Sequence, residues 1–179
     1  RIAFVGGGRR ASPARDRATA YRETLARYGL PLGPVVNCPP TREDGARAVG
    51  DLVRGRRDDP TAILCFNDLC AFGVMLGLAD RGLTVGRDVA VIGFDNIGEA
   101  AHHRPALTTI DIGARHIGEE AARLLVRRIG SPRGAPESVI LPPRLIVRSS
   151  GGAELQEANA TVPATSSKRR RGTKQGGML

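Results

Sequence analysis

A small group of polar side chains in this sequence has the chemistry to bind a polyhydroxylated small molecule. Its members, which follow predicted strands or lie near the start of a predicted helix, are Arg17, Asn67, Asp68, Asp95 and Asn96. Carboxylates accept hydrogen bonds, amides both accept and donate them, and a guanidinium presents a fixed fork of donors. This combination suits neighbouring hydroxyl groups, so we predict a polyol site if the fold brings the group together.

Taken one at a time, the same side chains have simpler explanations. Asn67 and Asp68 are residue types that cap the first turn of a helix. Asp95 and Asn96 are common in turns, and Arg17 has the character of an ordinary surface residue. The binding site is favoured because all of these side chains are placed at one edge of the predicted sheet.

The elements that would position these side chains alternate between strand and helix. Short apolar runs predict strands at 2–5, 35–36, 61–66, 88–94 and 107–110, with two extended segments at 138–141 and 144–149. Apolar residues at helical spacing predict four helices. The first spans 13–28, the second begins at 41, the third runs from the end of the third strand to 81, and the fourth spans 112–129. This alternation is typical of α/β proteins with a doubly wound parallel sheet, in which ligands bind beyond the carboxyl ends of the strands.

Motifs for catalysis, cofactors or metals are weak in this sequence. The glycine-rich turn reads Gly-Gly-Gly-Arg-Arg, which is neither GxGxxG nor a lysine-bearing phosphate loop. His102 and His103 are adjacent, a poor spacing for metal ligands, and His116 has no histidine near it in sequence. The cysteines form no CxxC pair. We therefore predict that the chain is not an enzyme and holds no cofactor and no metal.

The overall composition is that of a globular protein with an excess of arginine. The formal net charge of +9 raises the question of nucleic-acid binding. The arginines are spread along the chain, however, which is more typical of a solvated surface. No apolar run approaches the roughly 18 residues of a membrane span, so we predict no membrane partner and a cytoplasmic location. Residues 151–179 lack periodicity and predict a disordered basic tail, with contact to nucleic acid as the alternative.

Five segments, taken together, resemble the effector-binding core of the LacI/GalR transcription regulators. The segments are RATAY at 17–21, PTAILCFND at 60–68, GLTVGRDVAVIGFDN at 82–96, PALTTI at 105–110 and PRLIVR at 143–148. The resemblance covers residues 1–150. It implies the type I periplasmic-binding-protein-like fold, as a C-terminal subdomain with elements of an N-terminal one.

The resemblance also implies roles for individual residues. Arg17, Asn67 and Asp95 match contacts to a small-molecule effector, commonly a carbohydrate, and Asp68 lies beside them as a further ligand contact or a helix cap. One helix and a later segment match part of a homodimer interface, with core packing as the alternative role for the helix. The residues at those positions are Cys70, Phe72, Met75, His103 and Arg104.

Two departures from the family pattern limit what we expect of this chain. Where many members have a stacking aromatic ring before the second helix, this sequence has Pro40, which argues against a purine effector. The family's helix-turn-helix and half of its effector cleft have no counterpart here, and helix 112–129 belongs to that other subdomain in the family. We therefore expect weak effector binding and no operator binding by this chain itself.

The function implied by the resemblance is the sensing of a small molecule by a DNA-binding repressor. Effector binding would shift the populations of two subdomain arrangements and so change operator affinity in a dimer. A sugar-binding protein of a transport system has the same fold and is the alternative. A helix-turn-helix encoded upstream would favour the regulator, whereas a secretion signal would favour the transport protein.

Overall fold

The computed structural model describes residues 1–8 and 12–152, in which strands and helices alternate as predicted. The strands are β1 (Ile2–Val5), β2 (Val35–Val36), β3 (Ala62–Cys65), β4 (Ala90–Phe94), β5 (Thr108–Asp111) and β6 (Arg144–Ile146). The helices are α1 (Ser12–Arg27), α2 (Arg42–Leu52), α3 (Asp68–Ala79), α4 (Glu99–His102) and α5 (Ala114–Gly130), followed after β6 by a 3-10 turn at Ser149–Gly151.

The strands of the described ranges form one sheet in the order β2-β1-β3-β4-β5-β6. From β1 to β5 the pairs are parallel, whereas β6 runs antiparallel to β5. The parallel strands therefore all end on the same side, which we call the carboxyl edge. The predicted α/β architecture with a mostly parallel sheet is confirmed.

Helices α2 and α3 cover one face of this sheet, and α1 covers part of the other face. On one face, Ile63 and Val91 pack in the core that α2 and α3 share with the strands. On the other face, Phe4 packs against Tyr21 of α1. Because strand side chains alternate between faces, strands buried on both sides appear in the sequence as continuous apolar runs.

The crossing of α2 and α3 depends on glycine for space. A Cβ built on Gly73 would lie 1.9 Å from the carbonyl oxygen of Arg42, and one on Gly45 would lie 2.3 Å from the carbonyl oxygen of Cys70. Both neighbours are backbone atoms, which cannot rotate away as the end of a side chain can. The two helices therefore approach closely because no side chain separates them at these positions.

Two local features differ from the sequence prediction. The sequence does not predict α4, because four residues are too few to show a helical period. Residues 138–141, predicted to be extended, belong to no strand. The place beside β5 is taken by β6, and Ile140 remains 89% exposed.

α5 leaves its apolar face exposed. None of its residues is buried against the described part of the chain, and Leu125 and Ile129 are 60% and 70% exposed. The exposed face agrees with the expectation that α5 packs on something other than this sheet, while its assignment to a second subdomain stays a prediction. No helix within the described ranges is long and apolar enough to cross a membrane. Most of the predicted basic tail, from residue 153 onward, lies outside the described residues.

Candidate functional site

Arg17 is held at the carboxyl edge by two aromatic rings. It lies in the second turn of α1, which follows the turn after β1. Its guanidinium carbon is 3.6 Å from the ring centre of Phe94 and 4.6 Å from that of Phe66. The Nη1 group also donates to the carbonyl oxygen of Phe66. These cation–π contacts and the hydrogen bond hold the guanidinium in one orientation before any ligand arrives.

Asp95 faces Arg17 from the end of β4. Its Oδ1 lies 4.0 Å from Arg17 Nη2, and the side chains of Arg17 and Asp95 are 24% and 34% exposed. This separation is too long for a hydrogen bond, so both groups can still bind a third polar group. A hydroxyl between them can accept from the guanidinium and donate to the carboxylate. The pair therefore offers a bridging position to a hydroxylated ligand.

The backbone that carries Asp95 is strained. Asp95 and Asn96 have φ values of 112° and 53°, in a region that residues other than glycine rarely adopt. Strain of this kind is concentrated at functional sites, where the surrounding structure holds it in place. Here β5 does so, because Asp95 N donates to the carbonyl of Ile110 and Asn96 N donates to Thr109 Oγ1.

Partial burial shifts the acid–base properties of this pair. Burial raises the pKa of the Asp95 carboxyl, an effect that the positive charge of Arg17 opposes. Burial likewise lowers the pKa of the Arg17 guanidinium, and Asp95 opposes that shift. Both groups are thus partly removed from water. In this partly buried environment, a hydrogen bond to a ligand is stronger than at a fully exposed surface.

Asn67 lies at the end of β3 and caps α3. Its side-chain oxygen accepts a hydrogen bond of 2.9 Å from the backbone N–H of Cys70. The capping role considered from the sequence is therefore real. The cap uses the amide oxygen, and the amide nitrogen can still donate to a ligand, so ligand contact by Asn67 remains a prediction.

Replacing Asn67 with alanine is expected to lower the free energy of unfolding by about 1 kcal/mol, because α3 loses its N-cap. Asn67→Asp should lose much less, since aspartate caps a helix equally well. Urea unfolding followed by circular dichroism measures both. Equal stability of Asn67→Ala and the parent chain would show that the cap contributes nothing.

Asp68 points into the protein and not toward the carboxyl edge. Its side chain is 0% exposed. One carboxylate oxygen accepts from Thr109 Oγ1 at 2.5 Å, and the other accepts from the backbone N–H of Ile97 at 2.9 Å. Gly93 lies against it, since a Cβ there would be 2.2 Å from Asp68 Oδ1. The sequence prediction of a ligand contact is therefore corrected: Asp68 supports the site from behind.

The structure also corrects the predicted dimer contacts on α3. Cys70, Phe72 and Met75 are 0%, 2% and 3% exposed and belong to the core of the chain itself, so none is available to a second copy. Core packing, the alternative, describes them. His103 stacks on Phe72 with ring centres 4.9 Å apart, and Arg104 is exposed. Dimer contact by the last two remains a prediction.

The sequence prediction missed two aromatic residues at the site. Phe66 and Phe94 immediately precede Asn67 and Asp95, and both rings lie against Arg17. The signal was present, because each is the last apolar residue before a polar strand end. The region before α2 contributes no ring, since Pro40 occupies it and is exposed.

A cavity of about 430 Å³ lies beside the carboxyl edge, between α1 and the ends of β1 and β2. Its volume falls within the range typical of small-molecule sites. Polar side chains and glycine backbone line much of it. They include Gly7, Gly8, Thr19, Arg22 and Asn37. Arg17, Asn67 and Asp95 are not among its lining residues, so this cavity lies beside the Arg17–Asp95 pair and does not contain it.

The three cysteines have their thiols free, and they lie close together. The hydrogen bond between Cys38 and Cys70, together with burial, raises the pKa of the Cys38 thiol, and the pKa of Cys70 is raised as well. Both side chains are therefore neutral thiols. Within residues 1–8 and 12–152, no group of three or more His, Cys, Asp or Glu side chains is arranged to hold a metal ion.

Comparison with known proteins adds to this geometry. The family described as "Periplasmic binding protein-like domain" matches residues 1–151. The "HTH-type transcriptional repressor PurR" of Vibrio parahaemolyticus is 32% identical over 150 residues, which are 83% of this chain and 45% of the relative. The chain thus spans about half the length of the curated relatives it matches.

Solved structures show the same similarity. A putative LacI transcriptional regulator from Bacillus cereus subsp. cytotoxis aligns with a TM-score of 0.76 and 32% identity, over 83% of this chain and 53% of that one. A complex of the transcriptional regulator CelR with cellobiose aligns with the same TM-score and identity, over 84% of this chain and 46% of the other.

Proposed function

The chain belongs to the family of periplasmic binding protein-like domains, and from this premise we propose that it is the sensing part of a LacI-type transcription regulator. The ligand binds at the carboxyl edge. The observation that carries this proposal is the Arg17–Asp95 pair, whose groups face each other across 4.0 Å without a direct hydrogen bond. Similarity to repressors along most of the chain supports the regulatory role.

A carbohydrate is the effector that this chemistry favours. Arg17, Asp95 and the free end of the Asn67 amide supply donors and acceptors for several neighbouring hydroxyls. One similar structure is a complex with cellobiose. The aromatic rings of Phe66 and Phe94 are already in contact with the guanidinium of Arg17, so they are less available for stacking on a flat purine base.

In the complete regulator, sensing would reach DNA through other parts of the protein. The relatives are about twice as long as the part of them that this chain matches. We propose that effector bound at the carboxyl edge shifts the balance between two subdomain arrangements in a cytoplasmic homodimer. The shift would change operator affinity. The size of this change is limited by how much more tightly the effector binds one arrangement than the other. A transport protein is the less favoured alternative, because the similar proteins are transcription regulators.

The binding proposal is testable by nuclear magnetic resonance on the 179-residue chain. Titration with cellobiose should shift the amide signals of Asn67 and Asp95 and the side-chain signals of Arg17, with a dissociation constant in the millimolar range. Arg17→Lys should weaken binding by about tenfold or more, because lysine lacks the planar fork of donors. Asp95→Asn should act similarly and keeps the backbone conformation, which asparagine tolerates.

Two controls make the result decisive. Arg27→Lys changes an exposed arginine at the end of the same helix and should leave binding unchanged. A second titration with the purine base adenine should cause no saturable shifts at the carboxyl edge. Saturable adenine binding there would refute the carbohydrate assignment, and cellobiose-induced shifts located elsewhere would refute the site.

A further inference from the structure

Two segments of chain, one before α5 and one after it, approach the same residue at the carboxyl edge. The outgoing segment runs from the end of β5 through residues 111–113, and the returning segment is β6 with residues 147–148. Asn96 lies between them. Its side-chain oxygen accepts a hydrogen bond of 2.9 Å from Arg148 Nη2, and its side chain interacts electrostatically with the nearby carboxylate of Asp111.

The outgoing segment is organised around Asp111. The carboxylate accepts from the backbone N–H of Gly113 at 2.8 Å and pairs with Arg144 of β6 at 3.4 Å. The hydrogen bond from Gly113, with smaller contributions from Arg144 and Asn96, lowers the pKa of the Asp111 carboxyl. Asp111 is therefore charged at neutral pH, and its negative charge attracts the nearby amide of Asn96.

The returning segment is held even more firmly. Arg148 donates through Nη1 to the carbonyl of Leu107 at 2.7 Å, and its backbone N–H donates to Thr108 Oγ1 at 2.8 Å. The buried Ser150 then accepts from the backbone N–H of Thr108 and donates to the carbonyl of Val91. The guanidinium of Arg148 thus extends from a rigid base to the side chain of Asn96.

We propose that Arg148 and Asn96 are positioning residues for the carboxyl edge. They hold the strained turn that carries Asp95 and tie its conformation to the segments that lead to and from α5. The turn has no glycine to relax it, so its geometry depends on these contacts together with those of β5. This inference rests on the proposed function, because it assigns Asp95 to ligand binding. If Asp95 binds the ligand, a movement of α5 relative to the sheet would change the position of the Asp95 carboxylate at the carboxyl edge.

The test uses amide hydrogen exchange of the 179-residue chain without any sugar. Arg148→Met removes the hydrogen bond to Asn96 together with the one to the carbonyl of Leu107, whereas Asn96→Gly removes only the former. We expect exchange at Asn96, Ile97 and also Gly113 to become about tenfold faster or more, while the amides of β3 change less than threefold. Asn96→Gly should accelerate Gly113 in the same way, since glycine accepts the φ of this position and removes the side chain.

Arg144→Met is the matched control, because it removes an arginine that contacts Asp111 and leaves the Arg148–Asn96 bond intact. It should leave Asn96 and Ile97 unchanged. The proposal is overturned if Gly113 keeps its exchange rate in both Arg148→Met and Asn96→Gly, or if β3 accelerates equally. It is also overturned if Arg144→Met reproduces the whole pattern. Failure of the chain to bind cellobiose would refute the proposed function and leave this exchange result unaffected.

Discussion

Gly73→Ala is expected to destabilise the chain by about 3 kcal/mol, at the upper end of the usual cost of overpacking a core. The added methyl would lie 1.9 Å from the carbonyl oxygen of Arg42 and 2.9 Å from the backbone nitrogen of Ala46. Only a separation of α2 and α3 relieves these contacts. That movement would disturb the core on this face of the sheet and greatly exceed the roughly 1 kcal/mol gained from alanine's higher helix propensity.

The matched control for this prediction is Gly50→Ala, in the same helix pair. A Cβ at Gly50 would meet only the end of the flexible Arg81 side chain, at 3.2 Å. We therefore expect Gly50→Ala to stabilise the chain by about 0.5–1 kcal/mol. The chain has no tryptophan, so urea unfolding is best followed by circular dichroism. A Gly73→Ala chain as stable as the parent would contradict the close packing of α2 and α3.

The second large effect is expected at Asp68. Asp68→Ala should cost about 3 kcal/mol, because it leaves the Thr109 hydroxyl and the Ile97 N–H without their partner in the interior. If the Thr109 contact accounts for part of this loss, Thr109→Val and Asp68→Ala should be non-additive in a double-mutant cycle. Additive effects would show that the two side chains do not interact.

Asp68 should also make the free energy of unfolding depend on pH, with a contribution that decreases as the pH rises. Burial raises the pKa of its carboxyl in the folded chain, although bonds from Thr109 and Ile97 oppose the shift. The protonated form is thus favoured by folding. The stabilisation that Asp68 contributes to the folded chain is complete below the pKa of an unfolded aspartate. It is lost as the pH rises through the pKa of Asp68 in the folded chain.

The matched variant for the pH prediction is Asp68→Asn, which cannot titrate. The free energy of unfolding of the parent chain, minus that of the variant, should decrease from pH 3 to pH 7. Taking the difference is necessary because Asp111 and Glu99, whose pKa values are lowered, act in the opposite direction. A difference that rises with pH would show that hydrogen bonds to the charged form outweigh burial.

The sequence was sufficient to predict the sheet and its carboxyl edge, because alternating strands and helices leave few other arrangements. It could not show which of two neighbouring residues faces the carboxyl edge. Asn67 and Asp68 adjoin at the start of α3, where one residue turns the side-chain direction by roughly 100°. The helix is apolar on nearly every side, so no period indicated that Cys70, Phe72 and Met75 face inward. The role of Asn96 depends on contacts between segments distant in sequence, which local patterns do not contain.

The close contact between Gly93 and Asp68 has a consequence for how this site evolves. With aspartate at 68, any side chain at 93 would collide with the carboxylate at 2.2 Å and with Leu107 at 2.9 Å. The order of mutations then matters: a larger residue at 93 is tolerated only after position 68 has become smaller. A library that varies both positions should therefore show sign epistasis, in which the same change at 93 is harmful in one background and tolerated in the other. Descendants that keep the buried carboxylate inherit the glycine with it.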